Sequence, residues 1–374
     1  MTAADPAAAA MMLPAELSII VPTFNERENV PRLIHAVEQA LPSLRWEIVF
    51  VDDDSPDETA SIVRSIAMRD PRIRILHRYG RRGLSTACVE GIMATASPYV
   101  AIMDGDLQHD EKILGEMFRR LTEGETDLVV ASRYVEGGGL GDWSVRRKAM
   151  SRLATAMANR LTRTSISDPM SGFMMMTREA FLRSLPRLSS IGFKILLDIA
   201  ASAPVPLRVA EVPYTFRTRQ FGQSKLDSLA LWEYLQLLLD KIFGRFIPIR
   251  LLSFAIVGGF GVLVHFLVLT ALYVGVGTSF AASQTAATVV AISNNFFLNN
   301  LLTYHDQRLR GRALIWGWIS FNLVSAVGAA ANVGVADWLF ERRSYWVLSA
   351  LAGIGVSVVW NYTMSAIFTW RRRR

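Results

Sequence analysis

The sequence predicts an α/β domain with a mostly parallel sheet, followed by an all-α domain that spans a membrane. Three observations lead to this prediction. The chain has 374 residues, which is too long for one ordinary domain. Up to about residue 250, short apolar runs typical of strands alternate with segments that carry apolar residues at helical spacing. Beyond that point, long apolar stretches with very few charges are typical of membrane-spanning helices.

The first part of the chain is predicted to form a sheet with helices on both faces. Five runs have the composition of buried strands: residues 17–21, 46–51, 72–76, 99–103 and 128–131. Four segments have helical spacing: residues 29–41, 56–68, 83–95 and 111–122. This alternation predicts a mostly parallel sheet. Ligands of such sheets bind outside the carboxyl ends of the strands, so functional residues are expected there.

Three of the predicted strands end in polar clusters. The clusters are Pro22–Glu26, Asp52–Ser55 and Asp104–His109. One acidic cluster alone could be the N-cap of a helix, since Asp and Ser favour that position. Three clusters at one edge of a sheet indicate a ligand site instead. In the third cluster two carboxylates flank Gly105, and Mg²⁺ and Mn²⁺ prefer such oxygen ligands, commonly together with substrate phosphates.

Charge and cysteine content exclude several classes of function. The net charge is +7, but Arg371–Arg374 supply +4, and a basic end on a membrane helix is typical of an orientation signal. We therefore expect no nucleic-acid partner. The single cysteine, Cys88, excludes an internal disulfide and a multi-cysteine metal site. Residues 1–16 are rich in Ala and Pro and are predicted to be a disordered tail.

Seven segments of the first domain carry a resemblance to a known family. They are SIIVPTFNE at 18–26, VDDDSPD at 51–57, DGDLQH at 104–109, ASRY at 131–134, DPMSGF at 168–173, GFKILL at 192–197 and GQSKL at 222–226. They resemble family 2 glycosyltransferases, whose fold is the Rossmann-like GT-A fold, and more narrowly the polyprenyl-phosphate (dolichyl-phosphate) mannose synthases. The resemblance implies a GT-A catalytic domain over residues 17–225.

The resemblance also implies roles for individual residues. The implied nucleotide-sugar site consists of Pro22, Phe24, Glu26, Val51, Asp53, Asp104, Gly105, Asp106, Gln108, Arg133, Arg219 and Lys225. Within it, the implied ligands of Mg²⁺ or Mn²⁺ are Asp104, Asp106 and Gln108, and the implied catalytic set is Asp104, Asp106, Arg133, Arg219 and Lys225. The phosphate of the lipid acceptor would be bound by Arg147 and Ser151.

The implied reaction brings a nucleotide diphosphate and a lipid phosphate into one pocket. A metal and several Arg and Lys side chains would offset the repulsion and stabilise the leaving diphosphate. Because a phosphate monoester is already ionised at neutral pH, we expect direct displacement with inversion and no catalytic base. Arg217, Arg219 and Lys225 lie on one stretch around Gly222, which suits a loop that closes over substrate. The alternative is a solvated basic segment near an anionic membrane.

One carboxylate of the first domain has two open interpretations. Asp198 lies within an apolar helical run. It could contact the sugar, or it could be the partner of a nearby Arg.

The second half of the chain is predicted to be a membrane domain over residues 249–374. Four apolar stretches are long enough to cross a bilayer: residues 251–274, 280–304, 313–336 and 346–370. Before them, residues 226–248 suit amphipathic helices in the membrane interface, or a soluble helix on the catalytic domain. Cations precede the first span, lie in the connection between the second and third spans, and follow the fourth span. The positive-inside rule therefore predicts that the catalytic domain and both termini are cytoplasmic.

The membrane domain contains a faint repeat and a second resemblance. Asn295-Phe296 with Thr303-Tyr304 matches Asn361-Tyr362 with Thr369-Trp370 at the same spacing, which predicts two similar hairpins. RLLSFAIVGG at 250–259 and NFFLNNLLTY at 295–304 resemble the GtrA-like family, which accompanies polyprenyl-linked sugar transfer. The intramembrane asparagines suit hydrogen bonds between helices, with transport as the alternative.

The leading hypothesis is a multi-pass enzyme that transfers one sugar, mannose from GDP-mannose, to a polyprenyl phosphate of dolichyl or undecaprenyl type. One alternative is the same reaction with UDP-glucose or another nucleotide-sugar. A processive polysaccharide synthase is disfavoured because the Gln-x-x-Arg-Trp motif is absent. A further alternative is a flippase or anchor with a non-catalytic soluble domain. A homo-oligomer through the membrane domain is also possible.

Overall fold

The computed structural model describes residues 14–139, 155–162, 164–217, 228–244, 246–342 and 346–371. They belong to two compact units, Met1–Ile242 and Phe243–Arg374. The predicted tail falls largely on residues 1–13, which lie outside the described residues.

The first unit is built on one seven-stranded sheet. The strands are β1 Leu17–Thr23, β2 Trp46–Asp52, β3 Ile73–His77, β4 Tyr99–Ile102, β5 Leu128–Ser132, β6 Met174–Thr177 and β7 Val209–Pro213. Their order is β3-β2-β1-β4-β6-β5-β7. All neighbours are parallel except β6, which runs antiparallel to both β4 and β5. The prediction of a mostly parallel sheet is therefore confirmed.

Helices cover both faces of this sheet. They are α1 Val30–Ala40, α2 Thr59–Ala67, α3 Leu84–Met93, α4 Leu114–Glu123, α5 Arg178–Ser184 and α6 Ile195–Ser202. On one face, side chains of α1 and α4 such as Leu33 and Met117 pack against alternate residues of the strands. On the other face, Ile92 of α3 and Ile199 of α6 do the same. Burial on two faces explains why the central strands are almost continuously apolar.

The sequence analysis missed two strands. Strand β6 has the sequence MMMT, and methionine gives no preference for a strand over a helix. Strand β7 contains Glu211 and ends at Pro213, a residue that is typical of edges and strand ends. Both form because a neighbouring strand offers its backbone hydrogen bonds: β6 pairs with β4 and β5, and β7 pairs with β5.

A further helix, α7 Ser228–Phe243, lies within the segment predicted to be interfacial. Its Tyr234, Leu237 and Leu238 pack with Ala158 and Leu197 of the α/β unit. These contacts are those of a helix packed on the catalytic domain. An interfacial position for its exposed face stays a prediction.

The second unit is helical. Its long helices are α8 Ile249–Thr270, α9 Phe280–Leu298, α10 Arg312–Glu341 and α11 Trp346–Met364. Within the described part of the chain, three helical stretches are long and apolar enough to cross a membrane: Ile249–Val276, Arg312–Leu339 and Leu351–Thr369. The helix α9 does not reach that level of apolarity, since it carries polar residues such as Gln284, Asn294 and Asn295. The predicted total of four spans stays a prediction for α9.

The predicted repeat has a structural counterpart at the ends of α9 and α11. Each helix continues as a five-residue π-helical turn, Asn299–Thr303 and Ser365–Thr369. Each turn is followed by a buried aromatic residue, and the rings of Tyr304 and Trp370 stack with centroids 4.1 Å apart and planes 4° apart. The two repeats therefore meet through their equivalent residues.

Glycines let the helices of each repeat approach closely. A Cβ on Gly261 of α8 would lie 2.2 Å from Oδ1 of Asn295, and a Cβ on Gly328 of α10 would lie 2.2 Å from Oδ1 of Asn361. Only a residue without a side chain fits there, as expected for membrane helices that pack through small residues.

Three asparagines of the membrane unit show two kinds of hydrogen bond. Asn300 joins separate segments, because its Oδ1 accepts from Leu309 N at 2.8 Å and from Trp370 Nε1 at 3.1 Å. This contact confirms hydrogen bonding between elements for Asn300. In contrast, Asn299 and Asn322 donate to carbonyl groups of their own helices.

Replacing Gly261 with Val is expected to destabilise the membrane unit by about 1–3 kcal/mol, the usual range for overpacking. The added side chain would displace Asn295 from the helix interface. Gly258→Val is the matched control, because a Cβ on Gly258 meets nothing within 4 Å. Melting of the purified protein in detergent measures both. Equal melting temperatures for the two variants would contradict this account of the interface.

Candidate functional site

The three acidic turns lie together at one edge of the sheet. Strand β1 pairs with β2 through Thr23 and Asp52, and with β4 through Ile20 and Ile102. The turns that follow these strands are therefore neighbours at the carboxyl edge. The sequence-predicted residues from Pro22 to Gln108 all belong to these strands and turns.

In the turn after β2, the first two carboxylates are buried and already bonded. Asp52 accepts hydrogen bonds from Ser55 N at 3.0 Å and from Thr23 Oγ1 at 3.2 Å. Asp53 accepts from Arg78 Nη1 at 2.8 Å and from Gly83 N at 2.7 Å. Burial raises the pKa of Asp53 and outweighs the opposite effects of Gly83 and Arg78. Asp53 thus fixes the loop between β3 and α3.

Asp54 is the exposed member of this turn. Its φ is +58°, in the left-handed region that Asp tolerates better than most residues. Its carboxylate accepts from Gly80 N at 3.2 Å and lies 3.2 Å from Nε2 of His77. These two contacts, the Gly80 amide first, lower the pKa of Asp54. The carboxylate therefore stays ionised beside the β3 end.

The remaining residues of the predicted nucleoside site lie beside β1 and β2. The guanidinium of Arg82 lies over the ring of Phe24, 4.3 Å from the ring centroid, which is a cation–π distance. Glu26 is largely buried and accepts from Asn29 Nδ2 at 2.6 Å. Pro22 is half-buried, whereas the side chain of Val51 is fully buried and faces α3. A nucleoside could therefore touch Val51 only through its backbone.

Asp104, Gly105 and Asp106 follow β4 directly. Gly105 lies so close to β1 that a Cβ would come within 3.3 Å of the side chains of Val21 and Thr23. The Asp104 side chain is 35% exposed, and its Oδ2 lies 3.2 Å from Nε2 of His109. Asp106 is largely buried, and its Oδ1 accepts from Gln108 N at 3.1 Å.

A short loop closes over Asp104 from the side of β6. A Cβ on Gly172 would lie 2.8 Å from Oδ2 of Asp104, so only a glycine lets this loop come so close to the carboxylate. His109 is buried among the rings of Phe173, Tyr214 and Phe216, at centroid distances from 5.1 to 5.9 Å. The sequence analysis assigned no role to His109 or Gly172 individually, although both stand within motifs that it singled out.

The Asp104–Asp106 turn suits a divalent cation that also binds substrate. Among the described residues, no group of three His, Cys, Asp or Glu side chains is placed to hold a metal by itself. Two carboxylates combined with phosphate oxygens of a substrate are a common way to hold Mg²⁺. The Asp104 side chain keeps 35% of its surface exposed and is therefore accessible. The hard oxygen donors of this turn therefore fit the metal that the resemblance implies.

Arg133, which follows β5, is locked in place by Asp168. Its Nε donates to Asp168 Oδ2 at 2.6 Å, its Nη2 to Oδ1 at 2.8 Å, and its backbone N to Oδ2 at 3.2 Å. Both side chains are buried. Burial is the largest effect on the pKa of Arg133 and lowers it, but Asp168 outweighs burial and the net shift is upward. Asp168, absent from the predicted site, thus orients a residue that belongs to it.

Arg217 takes a different place from the one the sequence suggested. Instead of reaching freely over the site, its guanidinium donates to Glu111 Oε2 at 2.8 Å and to Asp110 Oδ1 at 2.5 Å. Four other predicted residues, Arg147, Ser151, Arg219 and Lys225, lie outside the described residues. Their roles stay predictions.

The structure decides between the two interpretations of Asp198. Its carboxylate accepts from Ser189 N at 3.1 Å and Ser190 N at 2.8 Å, and it pairs with Lys241 at 2.6 Å. Asp198 is fully buried. It is therefore a satisfied structural carboxylate, and contact with the sugar was the wrong alternative. Its partner is a Lys of α7 rather than an Arg.

Comparison with known proteins defines the class of this fold and site. The family Glycosyl transferase family 2 matches residues 18–184, and the family GtrA/DPMS, transmembrane domain, matches residues 253–370. The first match covers the sheet with its acidic turns, and the second covers the helical unit. The chain is thus a membrane-bound glycosyltransferase, and its α/β unit agrees with the predicted GT-A class.

Two curated relatives show to which family of glycosyltransferases the chain belongs. The dolichol-phosphate mannosyltransferase of Pyrococcus furiosus is 33% identical over 358 residues, which are 95% of this chain and 99% of the relative. The enzyme of the same name from Saccharomyces cerevisiae is 35% identical over 240 residues, which are 62% of this chain and 88% of the relative. The chain belongs to the family of dolichol-phosphate mannosyltransferases that carry a C-terminal GtrA/DPMS transmembrane domain.

Solved structures with a weaker likeness cover the α/β unit. A glucosyl-3-phosphoglycerate synthase from Mycobacterium tuberculosis, solved with UDP, has a TM-score of 0.44 at 19% identity, over 63% of this chain and 82% of that chain. A mannosyltransferase from Pyrobaculum calidifontis, solved with GDP-Man and Mn²⁺, has a TM-score of 0.44 at 19% identity, over 63% of this chain and 64% of that chain.

Replacing Asp168 with Ala is expected to lower stability strongly, because the buried guanidinium of Arg133 loses its carboxylate. Breaking a buried pair from one side costs about 3–5 kcal/mol. Glu116→Ala is the control: its partners Arg119 and Arg120 lie on the exposed side of α4, and such pairs contribute about 0–1 kcal/mol. Scanning fluorimetry measures both melting temperatures.

A double variant separates the lost pair from general disruption. Arg133→Met together with Asp168→Leu removes both charges and should recover part of the stability lost in Asp168→Ala. Equal melting temperatures for Asp168→Ala and the wild-type chain would contradict this account. A double variant that is less stable than Asp168→Ala would contradict it as well.

Proposed function

We propose that this chain transfers one mannosyl residue from GDP-mannose to the phosphate of a polyprenyl lipid of dolichyl type, with inversion and with a bound Mg²⁺ or Mn²⁺. The observation that carries the proposal is the convergence of Asp53, Asp104 and Asp106 at the carboxyl edge of the sheet. The dolichol-phosphate mannosyltransferase of Pyrococcus furiosus, similar over nearly the whole chain, supports the choice of sugar and acceptor.

The side chains of the site form two groups, one for the nucleoside and one for the metal. Phe24, Glu26 and Asp53 surround the position proposed for the nucleoside, at the ends of β1 and β2. Asp104, Asp106 and Gln108 would hold the metal, which when bound neutralises charge on the departing diphosphate. The Gln108 amide group already donates to Arg217 O at 3.0 Å, so only its carbonyl oxygen is a candidate ligand.

Positioning carries most of the catalysis in this proposal. The acceptor phosphate is ionised at neutral pH, so the chain needs to align it with the sugar rather than remove a proton. Arg133 is held rigidly by Asp168 beside β5, which gives the site one cation of fixed orientation. Arg147, Ser151, Arg219 and Lys225 are proposed to complete the phosphate sites.

Transfer of radiolabelled sugar to polyprenyl phosphate in membranes tests the proposal. GDP-mannose and UDP-glucose are offered separately, with and without EDTA, to the wild-type chain, to Asp106→Ala and to Glu123→Gln. The expected result is labelling from GDP-mannose alone, abolished by EDTA and by Asp106→Ala. Glu123→Gln changes an exposed carboxylate of α4 and should retain activity.

Each of the other results has a definite meaning. Labelling from UDP-glucose would keep the reaction and overturn the proposed sugar. EDTA-resistant labelling would overturn the proposed metal. A wild-type chain that labels no lipid from either donor would contradict the proposed reaction, and with it the role of the acidic edge.

The proposed topology places the catalytic domain and both termini in the cytoplasm. Cysteine labelling tests it directly, because the one native cysteine, Cys88, is fully buried in the α/β core. Ser279→Cys marks the connection before α9, and Arg310→Cys marks the connection before α10; both positions are exposed. In intact cells, an impermeant maleimide should label Ser279→Cys, whereas Arg310→Cys should react only after permeabilisation. The reverse pattern would invert the topology.

A further inference from the structure

Arg217 makes an unusually complete set of contacts with the turn that follows β4. Its Nη1 donates to Glu111 Oε2 at 2.8 Å and to the carbonyl oxygen of His109 at 3.2 Å. Its Nη2 donates to Asp110 Oδ1 at 2.5 Å. The planar fork of an arginine can bond several acceptors in one plane, which a lysine cannot. These contacts direct the guanidinium of Arg217 towards the turn that follows β4.

The backbone of Arg217 is bonded to the same turn. Arg217 N donates to the carbonyl oxygen of Gln108 at 3.0 Å, and Gln108 Nε2 donates back to Arg217 O at 3.0 Å. Gln108 N in turn donates to Asp106 Oδ1 at 3.1 Å. A continuous series of bonds therefore connects the carboxylate of Asp106 to the backbone of Arg217.

The turn itself is held in a conformation that needs support. Leu107, between Asp106 and Gln108, has a φ of +60°, which is sparsely populated by residues other than Gly, Asn and Asp. Such a residue keeps its conformation only when its surroundings impose it. The five contacts of Arg217 and Gln108 are part of those surroundings.

We propose that Arg217 is a positioning residue of the donor site: through its bonds to Gln108–Glu111 it holds the Asp104–Asp106 turn in its strained form. This inference rests on the proposed function, since it concerns the binding of a nucleoside diphosphate with a divalent cation. The Arg217 side chain is 41% exposed, but that of Glu111 is only 6% exposed, so removing Arg217 leaves a buried carboxylate without its cation.

Metal-dependent binding of GDP, measured by calorimetry with Mn²⁺, tests this role without any transfer reaction. Arg217→Ala should weaken Mn²⁺-dependent GDP binding by about tenfold or more, and it should also lower the melting temperature because the buried Glu111 loses its partner. Arg217→Lys should recover only part of the affinity, and Asp110→Asn, which keeps Arg217, should show a smaller loss in the same direction. Arg119→Ala is the matched control, because Arg119 also bonds two carboxylates, Glu116 and Glu123, but on the outer face of α4.

A double variant distinguishes positioning from a merely structural role. Glu111→Gln removes the carboxylate that Arg217→Ala leaves buried, so the double variant should recover stability but not affinity for GDP. A double variant that recovers both would overturn the proposal, as would an Arg217→Ala chain that binds GDP with wild-type affinity. A wild-type chain that binds UDP and not GDP would change the proposed donor, and the same comparison, run with UDP, would still decide the role of Arg217.

Discussion

The structure depends on the gathering of carboxylates at one edge of the sheet. Parallel strands β1, β2 and β4 are adjacent, so the turns that follow them cannot avoid one another. The cost of burying these charges is offset locally: Ser55 and Thr23 bond Asp52, and Arg78 and Gly83 bond Asp53. Asp104 differs, because its side chain keeps exposed surface. The buried carboxylates of Asp52 and Asp53 thus hold the loops at this edge in place, and the exposed carboxylate of Asp104 is available to a ligand.

Cations are arranged around this edge in two ways. Arg78, Arg133 and Arg217 are each bonded to carboxylates, and they give the loops around the site a fixed geometry. Arg133 also gives the site a cation of fixed orientation, and Arg219 and Lys225 are proposed to meet the diphosphate. A site that must bring together two phosphate-bearing substrates needs both kinds of cation, since electrostatic stabilisation is effective only when the charged groups are already in position.

Much of this arrangement could be predicted from sequence, because it follows from periodicity and strand ends. The strands β1 to β5 and the three acidic turns have local signals, and so does the repeat that ends in Tyr304 and Trp370. What could not be predicted depends on contacts between distant residues. Asp168 meets Arg133 across 35 positions and Arg217 meets Asp110 across 107, and nothing in the local sequence marks either pair. Strands β6 and β7 were missed for the same reason, since pairing rather than composition makes them strands. Asp198 stands out in the sequence as a charged residue in an apolar run. Only its contacts with Ser189, Ser190 and Lys241 show that its role is structural.

Location of a bound metal tests the central claim most directly. Crystals of the complete chain grown with GDP and Mn²⁺, measured at the manganese absorption edge, would give an anomalous peak whose position identifies the ligands. The account predicts a single strong peak in contact with carboxylate oxygens of Asp104 and Asp106 and with oxygens of the diphosphate. A peak bound by other side chains, or a diphosphate bound at another edge of the sheet, would contradict it.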